Sequence, residues 1–378
     1  MRVGKVRLRS IVATAGVVAL AAACGAGDGD DDAARSAVPK ATLSRPSGGD
    51  ASSTTTIGST ESTGSTSIPL TEPTAPPTVV TTAAAPPGRS GPAFAGDFPD
   101  PFVLYVDGVY YAYATQGSYG NVQLVKTANL VDWELLPLGA LPEIPSWAAP
   151  YSVWAPAVAQ LGGAFVLYYS ALEESSGLHC VSVAVSSSPE GPFVDPGTEP
   201  LVCPRDLGGA IDASPVTDRA GDPWLLWKND GVASGQPSAI YSQRLSADGL
   251  AVAGDPVRLI ETDQAWESPH VEAPSMLDAG DRYLLLYSGN WWNRADYGVG
   301  FAVCDDVSGP CTKPLDAPIL APRPDAAGPG GAEFFTDAAG SPWVAYHAWL
   351  GGVAGYPGRR ALWLEPVDVS GEIPVLSG

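Results

Sequence analysis

The chain has 378 residues and carries 41 acidic against 20 basic side chains, a formal net charge of −21. A balance this acidic excludes nucleic acid and anionic lipid as natural partners, and no basic patch with interleaved aromatics offsets it. Five cysteines without a CxxC pair or a Cys/His cluster give no zinc signature.

Residues 1–23 read as a signal peptide. Arg2, Lys5, Arg7 and Arg9 precede an apolar or small-residue run over 11–23 that is too short to span a bilayer permanently. Leu20-Ala21-Ala22-Ala23 before Cys24 is close to a bacterial lipoprotein cleavage box, with Ala in place of Leu three residues ahead of the cysteine. Lipidation of Cys24 is expected, with simple secretion as the alternative, and it would account for the odd thiol of an exported chain. The expected location is the outer side of a bacterial membrane, reached only through the lipid anchor. The other four cysteines allow three pairings; Cys180 with Cys203 and Cys304 with Cys311 is preferred, each closing a short loop. Residues 24–92 are Ser, Thr, Pro, Gly and Ala with almost no large apolar side chain, the composition of a disordered tether.

Residues 93–378 suffice for one large domain, and they repeat one pattern five times. The copies begin near Asp100, Ala155, Asp212, Glu272 and Gly331, about every 55–60 residues, a period in the range of propeller repeats. Each has a polar or Pro-bearing start, a Gly-containing turn and an aromatic-rich strand, as in DPFVLYVDGVYYAYAT and EAPSMLDAGDRYLLLYSG. A second alternating run follows each, such as YGVGFAVCDDVSGPC. Alternation at period two with Gly or Asp at the breaks means antiparallel strands and tight turns. One unit holds about four strands, so the predicted fold is all-β, a five-bladed β-propeller; a β-sandwich is the alternative.

In a propeller the innermost strand of each blade lines the central channel, so residues opening the five inner strands converge on one face. Asp100, Asp212 and Glu272 are such residues. Taken singly, Asp100 before Pro101 reads as a turn residue, Asp212 as a strand cap and Glu272 as an exposed strand residue. Their shared phase in three units points instead to one site. Acids there suit glycoside cleavage: one protonated carboxyl donates to the leaving oxygen while an ionised one activates water. A third carboxylate nearby keeps the acid protonated.

If strand one runs away from this face, strand two returns to it, and its last residues rim the pocket: Gln116, Ser170, Lys228, Asn229, Ser288, Asn290 and His347. Lys228 interrupts an apolar strand, which suggests a partner inside; a satisfied structural histidine is the plainer reading of His347. Trp154 is the first candidate for stacking on a sugar, and Trp291-Trp292 for a cleft wall. Of the other tryptophans, Trp224, Trp227 and Trp343 are expected between blades. His270 stands two residues before Glu272, and one of Arg359 and Arg360 is expected to reach the channel.

FPDPFV, AIDASP and HVEAPSM resemble the three acidic motifs of glycoside hydrolase family 43, and VWAPAV resembles the Trp-Ala-Pro segment opening that family's second blade. The resemblance runs from residue 96 to 369. It implies Asp100 as general base, Glu272 as general acid and Asp212 as the acid that orients Glu272 and tunes its pKa, with inversion at the anomeric carbon. Many relatives have Gly-His after the Gly-Pro-Gly of the fifth blade, where the His helps to hold calcium or another cation. This chain has Gly328-Pro329-Gly330-Gly331, so neither metal nor other cofactor is expected. The WKNDG and VEAPSM contexts look most like arabinan-active members and imply α-L-arabinofuranosyl linkages in arabinan or arabino-oligosaccharides. The alternatives are a β-xylosidase acting on xylo-oligosaccharides and a non-catalytic carbohydrate-binding propeller. A fructan-active enzyme lacks support, because its Asn-Asp-Pro-Asn start is absent. A monomer is expected.

Overall fold

The computed structural model describes residues 91–232 and 235–377. The signal peptide, Cys24 and nearly all of the tether lie outside the described residues.

Five antiparallel sheets form a five-bladed β-propeller. Blade one contains β1 (Phe102–Val106), β2 (Val109–Ala114), β3 (Gln123–Thr127) and β4 (Glu134–Leu136). Blade two contains β5 (Trp154–Leu161), β6 (Ala164–Glu173) and β7 (Leu178–Ser186). Blade three contains β8 (Ala210–Thr217), β9 (Pro223–Asn229), β10 (Ala239–Arg244) and β11 (Val257–Glu261). Blade four contains β12 (Val271–Asp278), β13 (Tyr283–Gly289), β14 (Gly298–Cys304) and β15 (Cys311–Thr312). Blade five contains β16 (Ala326–Thr336), β17 (Pro342–Leu350), β18 (Arg360–Asp368) and β19 (Val375–Leu376). The inner strands touch in a closed ring, β1 to β5 to β8 to β12 to β16 and back to β1. The segment before blade one closes the circle by pairing with blade five, Ala93 N–H donating to Leu362 O and Leu362 N–H to Phe94 O.

Blade two lacks a continuous fourth strand. Two isolated bridges, Val181 with Val202 and Val185 with Val194, stand in its place. The intervening chain carries Pro189, Pro192, Pro196, Pro200 and Pro204, none of which can donate to a ladder. Both preferred disulfides are present, Cys180–Cys203 and Cys304–Cys311.

The core consists of five apolar clusters, each straddling one pair of neighbouring blades. This explains where period-two alternation fades: β13 and almost all of β6 and β17 are buried on both faces, because each middle strand is covered by a blade on either side. Trp227 and Trp343 are buried between blades, as expected, and Trp224 packs against the blade-three/blade-four cluster.

Candidate active site

The five inner strands share a backbone device at the active face. Asp100 (φ 51°), Ala155 (42°), Asp212 (57°), Ala273 (51°) and Gly331 (58°) all adopt the left-handed conformation at the corresponding point of each blade. The register of β5, β8, β12 and β16 against its neighbour shifts at the same place. Such a bulge re-aims the side chains around it, and a left-handed non-glycine residue costs on the order of 1 kcal/mol, which the surrounding structure must offset.

Partners for the bulge N–H groups come from the second strand of the preceding blade. Ala155 N–H donates to Thr115 Oγ1 (2.8 Å), Asp212 N–H to Ser170 Oγ (3.1 Å), Gly331 N–H to Ser288 Oγ (3.0 Å) and Asp100 N–H to His347 Nδ1 (3.1 Å). The fifth acceptor position is Lys228, and an ammonium has no lone pair to offer. Ala273 N–H therefore donates to the Asp212 carboxylate at 2.9 Å, while Lys228 Nζ turns to Glu272 Oε2 at 3.1 Å. One Lys in a ring of acceptors thus links two acids from neighbouring blades.

All three acids line a single cavity of about 410 Å³ on this face. Glu272 stands one residue before its blade's left-handed position, whereas Asp100 and Asp212 occupy theirs. Glu272 therefore enters the cavity at the same level as Trp154 and Ile211, which also line it.

The surroundings of the acids differ. Burial works against ionisation of Asp100, but Arg360 Nη1 at 3.8 Å and the Thr115 hydroxyl at 2.7 Å outweigh it and hold the carboxyl below the usual carboxylate range. Asp212 is pushed up to about 7, first by burial and then by the Glu272 charge, against the pull of Lys228. Glu272 accepts a hydrogen bond from Tyr297 Oη at 2.7 Å; burial and the Glu272 charge keep that phenol protonated. Lys228 stays charged despite burial because Glu272, Asp212 and Asp230 surround it.

Of the expected sugar contacts, Trp154 and Lys228 line the cavity, and so do Gln116, His270, Trp291, Trp292 and Arg360. One face of Trp154 is stacked on His179, with ring centroids 3.7 Å apart. Three expected contacts do not line it. Asn229 spends its amide on the backbone, donating to Leu207 O and Pro237 O and accepting from Ala239 N–H. Asn290 sits in a left-handed turn and accepts from Trp291 N–H. His347 is fully buried, its Nδ1 accepting from Asp100 N–H and its ring stacked on Tyr297, while its Nε2 has no partner among the described residues. Ser170 and Ser288 are likewise buried as N–H acceptors.

Sequence reasoning missed Thr115, Tyr297, Asp230 and Glu333. Thr115 had a signal: it lies seven residues after turn glycine Gly108, as Ser170, Lys228 and His347 do after Gly163, Gly221 and Gly340. Glu333 lies two residues after the blade-five bulge, as Ser214 and Ser275 do in blades three and four, and it bonds the Ser214 hydroxyl at 3.1 Å. It lines a small cavity of about 20 Å³ with Asp100, Asp212 and Gly331. Burial pushes its carboxyl up to about 8, against the Ser275 and Ser214 hydrogen bonds.

The cation-associated His implied by resemblance has no counterpart. A Cβ at Gly331 would lie 2.7 Å from His347 Nδ1 and 3.0 Å from Asp100 Oδ1, so no ligating side chain fits there. Among the described residues the clustered metal-type ligands are Glu173, Cys180 and Cys203; the sulfurs form a disulfide and Glu173 pairs with Arg205.

Comparison with known proteins agrees with this geometry. The family model described as "Glycosyl hydrolases family 43" matches residues 90–373. The chain belongs to this family. A β-D-galactofuranosidase of Aspergillus niger is 27% identical over 234 residues, covering 58% of this chain and 64% of that protein. An extracellular endo-α-(1→5)-L-arabinanase of Thermotoga petrophila is 27% identical over 252 residues, covering 57% and 50%. The chain thus spans half to just under two thirds of these two curated relatives. Among solved structures, a thermostable family-43 glycoside hydrolase superposes with a TM-score of 0.68 at 30% identity, covering 75% of this chain and 93% of its own. An endo-1,4-β-xylanase of Bacteroides thetaiotaomicron gives 0.65 at 26% identity, covering 76% and 96%.

Proposed function

We propose that this family 43 member is an inverting glycoside hydrolase that cleaves α-L-arabinofuranosyl linkages in arabinan or arabino-oligosaccharides. The observation that carries the reading is the convergence of Asp100, Asp212 and Glu272 on one cavity, with Asp100 beside the Arg360 guanidinium and Asp212 pushed up to about 7 by burial and the Glu272 charge. Asp100 is the general base. It takes a proton from a water whose oxygen bonds to the anomeric carbon as the glycosidic C–O bond breaks. Glu272 is the general acid. It delivers a proton to the leaving oxygen beside Asp212, and Tyr297 and Lys228 fix its two oxygens. Water ends divided between the two products, with configuration inverted and no covalent intermediate.

Arabinofuranosyl specificity is supported by the curated relatives, whose names refer to arabinan, arabinofuranosides or galactofuranosides. The xylanase among the solved structures favours β-xylosyl linkages as the second reading. Export is supported by the two disulfides and the extracellular relatives, and the signal and lipid anchor at Cys24 are part of the same proposal.

The test is to incubate the protein and Glu272→Gln with debranched arabinan, arabino-oligosaccharides, xylo-oligosaccharides and nitrophenyl glycosides. Release of arabinose or arabino-oligosaccharides by wild type, with a loss of about 10²–10⁴-fold in the variant, is expected. Equal release by both sinks the assignment of Glu272, and release only from xylosides replaces the substrate. Proton NMR of the first anomer formed tests inversion.

A further inference from the structure

Exposed hydrophobic side chains are distributed unevenly over this molecule. Among the described residues the large ones include Val131, Leu138, Val194, Val257 and Val375, aliphatic and scattered, as is ordinary for a soluble surface. The exposed aromatics are three, Tyr151 (86% exposed), Trp291 (43%) and Tyr356 (59%). Trp291 and Tyr356 line the cavity, and Tyr151 stands three residues before Trp154, which lines it from blade two.

Surrounding groups hold the Trp291 and Tyr356 rings, and at Tyr151 they hold the backbone. Tyr151 has a φ of 62°, a conformation that favours glycine, and the chain around it is pinned by Ser152 Oγ donating to Ala149 O, Ala149 N–H to Leu172 O and Val153 N–H to Gln116 Oε1. Trp291 packs edge-on to His270 with centroids 4.5 Å apart, and its backbone N–H donates to Asn290 Oδ1. Tyr356 bonds Asp97 and Arg360 through its hydroxyl, and its ring meets Trp349 at 5.3 Å. Rigid aromatic faces presented to water lose little freedom when a ligand covers them.

We infer that these three side chains form a glycan-binding rim continuous with the catalytic cavity, which holds the leaving-group side of a neutral polysaccharide chain. This rests on the glycosidase reading above. Sugars present apolar C–H faces that stack on aromatic rings, and stacking requires the flat π face that the scattered aliphatic residues lack. The charge nearest Tyr356 in the cavity lining is already engaged: Arg360 lies over Trp292 at 4.4 Å and bonds the Tyr356 hydroxyl. The protein is therefore built to act on chains, and a single sugar with a small aglycone misses the rim.

The experiment measures kcat/KM of wild type, Tyr151→Ala and Trp291→Ala on debranched arabinan and on 4-nitrophenyl α-L-arabinofuranoside. The expected result is a drop on arabinan about 5- to 10-fold larger than the drop on the nitrophenyl glycoside in each variant, the size of one lost aromatic contact. Equal drops on both substrates, or no drop on either, overturn the rim. If wild type cleaves only xylan, the same ratio taken on xylan and 4-nitrophenyl β-D-xyloside decides the rim, and the arabinofuranosyl reading fails separately.

Discussion

Asp100 and Asp212 occupy the same left-handed bulge position in blades one and three, yet one is held ionised and the other keeps its proton near neutrality. Their backbones receive the same treatment, an N–H donated to the second strand of the preceding blade. The difference lies in what surrounds the side chain. Asp100 faces Arg360 and Thr115, both of which favour the anion. Asp212 faces Glu272 and is drawn toward blade four by the Ala273 N–H that Lys228 cannot accept. A repeated scaffold thus yields a base and an acid by changing one or two neighbours per blade.

The strongest way to break the comparison is to remove the ionised member. Asp100→Asn keeps the size of the side chain and loses the base, so kcat is expected to fall about 10²–10⁴-fold. Circular dichroism unchanged from wild type would locate the loss in chemistry. A variant with more than a tenth of wild-type kcat would remove Asp100 from the mechanism.

The next effect falls on Lys228. In wild type the alkaline limb of the rate is expected near 7, where Asp212 gives up its proton and the acid pair can no longer supply one. Lys228 lowers the pKa of Asp212, so removing the ammonium lets the pair hold its proton to higher pH. Lys228→Met is therefore expected to lower kcat about 10- to 100-fold through loss of the Glu272 contact, and to move the alkaline limb upward. A merely structural Lys228 would lower activity without moving that limb. A limb that moves down would reverse the electrostatic account.

Much of this site was legible in the sequence, because period and turn chemistry are local. Counting from one turn glycine to the next located the blades, and the phase of Asp100 and Asp212 placed them on one face. The phase of Glu272 was off by one residue: in blade four Ala273 carries the left-handed φ and Glu272 precedes it, level with Trp154 and Ile211, a one-residue difference that repeats of about 55–60 residues do not resolve. Strand-end residues were harder still. Asn229 and Lys228 are adjacent on β9, but alternation sends one to a loop backbone and the other to the acids. Tyr297 and Asp230 lie beyond the strand ends, where no periodicity fixes the direction of a side chain.

Glu333 extends the comparison down the channel and gives the smallest expected effect. Its ordinary pKa is 4.5 and its folded value is raised to about 8, so between those values the unfolded chain ionises while the folded one does not. Stability therefore falls as pH rises through that window. Glu333→Gln retains a partner for the Ser214 hydroxyl and never ionises. The variant should match wild type at pH 5 and exceed it at pH 9 by about 1–2 kcal/mol, a rise of about 2–4 °C in Tm. An equal Tm difference at both pH values would mean that the channel carboxyl ionises as freely as an exposed one. The proton retained near Asp212 would then owe nothing to burial and would rest on Glu272 alone.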